Sequence, residues 1–451
     1  MQKKILKKRY CRITFRLASP MAVGSGESST SDRNILRDAR GEPYLPATAI
    51  AGVCRSFFLE EGKLPDEAKP YFGCVEINRG QEPKKRKQQE AMEQIESALV
   101  FHDARILYPS GQVIKSSFHT TVRDSVRLDD YKNAEPGGKF DMEVLEPGVK
   151  MRTYIEQNIL GEGDIDYIAR IVEILCSGET HFGAKSMRGY GAIDKVTAEV
   201  VVFDLREKRD VEAWLEFDPQ KEKSWTGALR YGAGTSKQAL LRLDLKQREG
   251  SGISIRKYTT EAAAGDGLSV PDFSQLTVHM GDEIRPVIPG TSWAGAVRHR
   301  MKELGLKSDD VKALFGYVNG EGDKQRSRIR FSESQIRGGS EKELSRNAID
   351  RFSGGTVDGA LFTERTWYGG RTQLSISLVP GAVLSDSECR ILAAVLADMH
   401  YGFLPVGGET SVGRGLFEIE KVNGKALSKE ERSQIYQMLL EQVRCSLGSE
   451  K

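Results

Sequence analysis

Apolar and polar positions along this chain change period in a set order, and that order occurs twice. Near the N-terminus, in "MQKKILKKRYCRITFRL", apolar residues alternate with charged ones, the period of two that a half-buried strand requires. In "PYLPATAIAGVCRSFF" (43–58) the period lengthens. Ile50, Val53, Phe57 and Phe58 fall at helical spacing, with Arg55 on the polar side and Thr48 placed to cap the first turn. After a polar middle, "DYIARIVEILCSG" (166–178) predicts a second helix and "VTAEVVVFDL" (196–205), rich in β-branched residues, a closing strand. The second series runs through "ALLRLDLKQ" (239–247), a helix opening on "PGTSWAGAVR" (289–298) with Thr291 as its cap, "DSECRILAAVLADM" (386–399) and "GLFEIEKV" (415–422).

The repetition extends to residue identity. "PYLPATAIAGVCR" (43–55) matches "PVIPGTSWAGAVR" (286–298) without a gap, 243 positions on, and the same spacing brings "YFG" (71–73) onto "LFG" (314–316). "LDDYKNAEPGGKFDMEVLEPG" (128–148) aligns with "IDRFSGGTVDGALFTERTWYG" (349–369), pairing Asp129 with Asp350, Gly138 with Gly359, Glu143 with Glu364 and Gly148 with Gly369. The glycine-rich loops "HFGAKSMRGYGAI" (181–193) and "PVGGETSVGRGLF" (405–417) pair Gly183, Gly189 and Gly191 with Gly407, Gly413 and Gly415. Four blocks in one order mark a duplication. The first domain is expected over 1–204 and the second over 237–451, joined by a charged linker, 205–236, with some order of its own.

Composition narrows the class. At 451 residues the chain is too long for one ordinary core. No run of about 18 uncharged apolar residues is present, so no membrane span is expected. The N-terminal basic residues lead into no apolar signal core, and the six cysteines are scattered without a CxxC pair, which together read as a cytoplasmic, reducing setting without zinc or disulfides. Net charge is only +2, so any polyanion-binding surface must be a local feature. The basic run "NRGQEPKKRKQQEAMEQIE" (78–96) reads as a solvated face or a phosphate contact.

The paired loops carry the candidate chemistry. Glycine admits positive φ and close backbone approach, which turns consecutive N–H groups toward one anion. Gly189, Gly191, Gly407, Gly408 and Gly415 are the positions concerned, with Lys185, Arg188 and Arg414 able to add charge-assisted contacts to phosphates. The plainer reading is a tight turn into the closing strand. Neither loop carries the GxGxxG or GK[ST] pattern of a nucleotide-binding turn.

In the order of these blocks, "GEPYLPATAIAGVCR", "LDDYKNAEPGGKFDMEVLEPG" and "FGAKSMRGYG", then "IRPVIPGTSWAGAVR", "IDRFSGGTVDGALFTERTWYGG" and "VGGETSVGRG", the chain resembles the RAMP superfamily of CRISPR-associated proteins. Each copy is similar to the backbone subunit of type III (Csm/Cmr) effectors. The resemblance implies an α+β fold: two tandem ferredoxin-like (RRM-like) palms, each with a β-hairpin thumb that wedges between bases. It implies guide RNA, complementary target RNA and other effector subunits as partners, with Thr48, Arg55, Thr291, Ser292 and Arg298 at guide-phosphate positions. It also implies target cleavage by an aspartate after the first strand, with Mg²⁺ or another divalent metal. Asp32 stands at that position. In the second copy the same count back from Pro289 lands on Gln275, with Asp272 three residues away and Asp266 nine. Without an early histidine, an HD pair or a GGDD motif, guide processing and cyclic-oligonucleotide synthesis are not expected. A non-catalytic scaffold with the same binding, and a duplicated β-rich protein of unrelated metabolic function, are the alternatives.

Overall fold

The computed structural model describes residues 4–26, 34–59, 64–75, 94–108, 120–129, 134–161, 165–231, 239–258, 271–280, 283–318, 323–379 and 381–448. The N-terminal alternation folds as strand β1 (Lys7–Leu17), which buries Cys11, Ile13, Phe15 and Leu17 on one face. Helix α1 (Ala47–Ser56) follows, buried through Ile50 and Cys54, and then strand β2 (Leu99–Phe101). An antiparallel hairpin arm, β3 (Thr120–Leu128) and β4 (Ala134–Leu145), leads back into β5 (Lys150–Ile159). Helix α2 (Tyr167–Cys176) and strand β6 (Ile193–Asp204) complete the repeat. In the sheet, β1 lies between β6 and β5, and β2 pairs with the other edge of β5, all antiparallel.

The second repeat has the same plan: β7 (Leu241–Gln247), helix α3 (Gly290–Glu303), β8 (Ile329–Phe331), an arm of β9 (Ser340–Ile349) and β10 (Thr356–Tyr368), β11 (Arg371–Leu378), helix α4 (Asp386–Tyr401) and β12 (Phe417–Val422). Its sheet order, β8-β11-β7-β12, is that of the first. Each repeat buries its own apolar cluster, around Ile50, Phe15 and Ile171 in the first and around Trp293, Leu392 and Phe417 in the second. A final helix, α5 (Ile435–Gly448), packs on α4, and Ser446 Oγ donates to Leu240 O at 2.9 Å. The duplicated pattern ends at the closing strand and does not predict this helix.

One local expectation is corrected. Thr48 and Thr291 do not cap their helices. Both sit at the second helical position, behind Pro46 and Pro289, which have no side chain to offer the first turn. At α1 the free Ala47 N–H donates instead to Asp103 Oδ1 at 2.8 Å, a carboxylate brought in just beyond β2. Such a cap is worth about 1 kcal/mol. The stretch between the repeats is ordered over 205–231. It forms a helix (Lys208–Leu215), a buried turn at Trp225, and a strand (Leu229–Tyr231) that pairs with β6 and extends the first sheet. Glu222 of this stretch bridges Arg12 and Arg152, each at 2.8 Å, on the open face of that sheet. No helix among the described residues is long and apolar enough to cross a membrane.

Candidate nucleic-acid interface

Both glycine loops are built alike. Each turns through a left-handed residue, Lys185 (φ 57°) or Glu409 (φ 56°), into one 3₁₀ turn, and leaves it through a left-handed glycine, Gly189 or Gly413. Of the flanking glycines, Gly191 and Gly415 cannot be replaced without collision. A Cβ would lie 1.8 Å from Phe182 O in the first loop and 1.9 Å from Val406 O in the second. Gly183 and Gly407 press likewise on Ala22 O and Ser254 O, and Gly408 N–H donates to Ser254 O at 2.7 Å. These glycines fit the loop against its own repeat, which is the plainer of the two roles read from the sequence.

The third pair differs. A Cβ on Gly189 would stand 2.4 Å from Phe331 O of the second repeat, whereas a Cβ on Gly413 meets nothing within 4 Å. The first loop is therefore docked on β8 and on the start of α3, while the second faces open space. A buried ion triad secures this seam. Arg123 on β3 reaches Glu146 (2.9 Å) and Glu333 of the second repeat (2.5 Å), and all three side chains are at most 5% exposed. Burial opposes the guanidinium charge, but the two carboxylates outweigh it and hold Arg123 above its ordinary range; burial pushes the Glu333 carboxyl up.

The basic residues divide by location. Arg188 is exposed at the seam, whereas Lys185 lies over the Phe140 ring at 4.1 Å. Arg414 departs from the expected phosphate contact. It is buried, pairs with Glu364 at 2.8 Å and with Glu409 at 3.5 Å, and Arg346 joins the same two carboxylates. Burial first, then the facing Glu364, pushes the Glu409 carboxyl up to about 7. Burial also works against charge on Glu364, but hydrogen bonds with Glu409 and Arg414 hold it below the usual carboxylate range. Thr48, Arg55, Thr291 and Arg298 line the exposed sides of α1 and α3, and Ser292 is half-buried.

A family model for the RAMP superfamily matches residues 14–194 and 276–418. The chain belongs to the RAMP superfamily. Both matched regions run three residues past the last loop glycine, Gly191 or Gly415, so the two RAMP matches end at one structural point. This membership removes the reading of a β-rich protein unrelated to the family. No curated protein matches the chain. Among solved structures, it is similar to a chain in the cryo-EM structure of the Type III-B Cmr-beta bound to cognate target RNA, at 22% identity and a TM-score of 0.31, covering 44% of this chain and 61% of that one.

Within the RAMP repeats, hydrogen-bond register aligns the strand before each first helix. Leu36 N–H donates to Val23 O and Leu276 N–H to Ile255 O, each at 2.7 Å, and Ile35 pairs with Gly24 as Gln275 pairs with Arg256. These contacts equate Ile35 with Gln275, a spacing of 240 rather than 243. The spacing of 243 resumes where Tyr44 N–H donates to Leu36 O and Val287 N–H to Leu276 O. The three added residues lie in the hairpin of Thr277–Met280 and Glu283–Ile288. Continued along the sequence, the spacing of 240 pairs Asp272, not Gln275, with position 32. Gln275 is instead a buried cross-link, accepting from Ile255 N–H and donating to Leu276 O and Val287 O. Asp272 is exposed, and its Oδ2 accepts from Thr363 N–H at 2.8 Å at the base of the second arm. Asp32 and Asp266 lie outside the described residues.

Proposed function

We propose that the chain is a two-repeat backbone subunit of a cytoplasmic type III CRISPR effector, which holds guide RNA along its repeats and positions complementary target RNA for cleavage. The observation that carries this reading is the docking of two RAMP repeats in the same sense, loop of the first onto helix opening of the second. Like faces then recur along one direction, as a ligand with regularly spaced backbone charge requires. Each repeat reads as a ferredoxin-like palm: its first strand lies between the last and the third, the order of a split β-α-β unit. The hairpin arms read as thumbs. Phe352 at the tip of the second is fully exposed, and Ile349 and Leu361 are exposed beside it, an apolar wedge suited to entering between bases.

For cleavage, Asp32 and its sequence counterpart Asp272 are the proposed carboxylates. Among the described residues no group of three or more His, Cys, Asp or Glu side chains could hold a metal. A single exposed carboxylate fits only a divalent cation such as Mg²⁺ that keeps most of its waters and takes further oxygens from substrate phosphates. Such an ion would supply charge stabilisation at the scissile phosphate. The chain's own part is to hold Asp272 still through Thr363 and to fix the strand beside it. That same tether favours a second reading for the second repeat, a scaffold without cutting.

Counting target fragments from assembled complexes tests both. Asp32→Ala and Asp272→Ala are each expected to remove one cut while guide RNA stays bound. If neither variant changes the fragment pattern, the scaffold reading replaces the cleaving one. If purified complex carries no nucleic acid, both readings fail.

A further inference from the structure

The root of the arm in repeat two is polar where that of repeat one is apolar. In the first repeat Ala22, Met142, Val144 and Tyr190 form a buried apolar cluster at the base of the arm. Ser254 holds the place of Ala22 in the second, since Ala184 N–H donates to Ala22 O as Gly408 N–H donates to Ser254 O, each at 2.7 Å. Arg414 holds the place of Tyr190. Ser254, Thr366 and Glu364 are 0% exposed and Arg414 7%, so the polar group is as deep as the apolar one.

Its hydrogen bonds do not close. Ser254 Oγ and Thr366 Oγ1 have no partner, Arg414 Nε stands 3.5 Å from Glu409, and Glu364 Oε2 accepts from neither of the arginines that meet Oε1. Strand pairing brings these atoms together. Gly252 lies opposite Tyr368 and Ile253 opposite Trp367, so the next step sets Ser254 opposite Thr366. On β10, Glu364, Thr366 and Tyr368 share one face. Arg414 runs along that face, from the Tyr368 ring, 5.1 Å from its guanidinium carbon, to Glu364 at 2.8 Å. The two hydroxyls lie between the ends of that span. Elsewhere on the arm, hydroxyls within reach bond directly, as Ser345 and Thr363 do at 3.0 Å. A buried polar atom without a partner costs free energy, so four in one place call for a hydrogen-bonding ligand.

We infer that repeat two binds one water molecule inside the root of its arm, bridging Ser254 Oγ, Thr366 Oγ1 and Glu364 Oε2 against Arg414. Size and charge select the ligand. A Cβ on Gly252 would stand 2.8 Å from the Tyr368 ring and 3.0 Å from Arg414 Nη1, which leaves no room beside the hydroxyls for a larger molecule. A cation would face Arg414 and Arg346, and an anion Glu364 and Glu409. A neutral water can donate to the carboxylate and accept from a hydroxyl or from Nε–H, making the about three hydrogen bonds usual for buried solvent. The site is independent of RNA binding and cleavage, so its failure leaves the proposed function standing.

Thermal melts of the full chain test the site, because the sign of one change differs with and without the water. With water bound, Thr366→Val, nearly equal in shape, breaks the bridge and lowers Tm by about 2–4 °C, while Thr366→Ser keeps a hydroxyl and loses less. With nothing bound, Thr366→Val removes a partnerless buried hydroxyl and Tm rises, which overturns the proposal. Ser254→Ala, a residue the fold accepts at Ala22, supplies the second edge of a cycle. The double variant is expected to lose less than the sum of the single losses, since either change already frees the shared water; additive losses overturn the bridge. A crystal structure with ordered solvent completes the test. Density within hydrogen-bond distance of both hydroxyls is expected in wild type and not in the double variant, and a wild-type site without density overturns the proposal.

Discussion

The two repeats anchor the base of their hairpin arms in opposite ways. In the first, Arg123 on the arm depends on Glu333 from the other repeat, and the loop glycine Gly189 closes against Phe331. In the second, the loop supplies its own Arg414 where the first has Tyr190, and Glu364, Glu409 and Arg346 complete a cluster from within the repeat. The first repeat is finished by a neighbour, the second by itself. A duplicated loop can therefore keep its glycines, which serve the turn, while its charged positions are reassigned according to what lies beyond it.

The largest expected effect tests that dependence. Arg123→Met leaves two buried carboxylates without a counter-charge and should cost about 3–5 kcal/mol in urea unfolding, with the repeats melting less cooperatively. The triple variant Arg123→Met, Glu146→Leu, Glu333→Leu should recover most of that loss, because no unpaired charge remains. Next in size is a matched pair of glycine substitutions. Gly413→Ala should cost about 1–2 kcal/mol, the strain of a left-handed backbone alone, whereas Gly189→Ala adds a collision with Phe331 O and should cost about 2–5 kcal/mol. Equal costs would mean that the seam is not closed in solution.

The smallest effect concerns pH. The Glu409 carboxyl is raised in the folded protein, so the native state keeps a proton that the unfolded chain gives up. Its contribution is full at pH below the ordinary carboxylate range and is lost as pH rises toward about 7. Glu409→Gln should flatten this decline in Tm across pH 5 to 8. Lys185 holds the matching position in repeat one, so the variant reads on the second repeat alone.

Part of the architecture is legible in the residues because it rests on local periodicity: the first and closing strands and both helices of each repeat follow from spacing that one window can show, and the duplication from matching blocks 243, 221 and 224 positions apart. The site was less legible where partners are distant. Asp103 caps α1 from 56 positions away, and Arg123 meets Glu333 across 210. Nothing in "RGYG" or "GRGL" tells an outward arginine from an inward one; what turns Arg414 inward is Glu364, 50 positions earlier. Asp272 was misaligned by a hairpin three residues longer than its counterpart, a difference that only hydrogen-bond register resolves.

The distance between Arg123 and Glu333 also sets an order of events during synthesis. Ribosomes add roughly 5–20 residues per second, so the 210 positions between them take on the order of ten to forty seconds to emerge. For that interval the nascent first half exposes an arginine-bearing seam with no second half to close it, a window in which chaperones or polyanions can reach the unfinished chain.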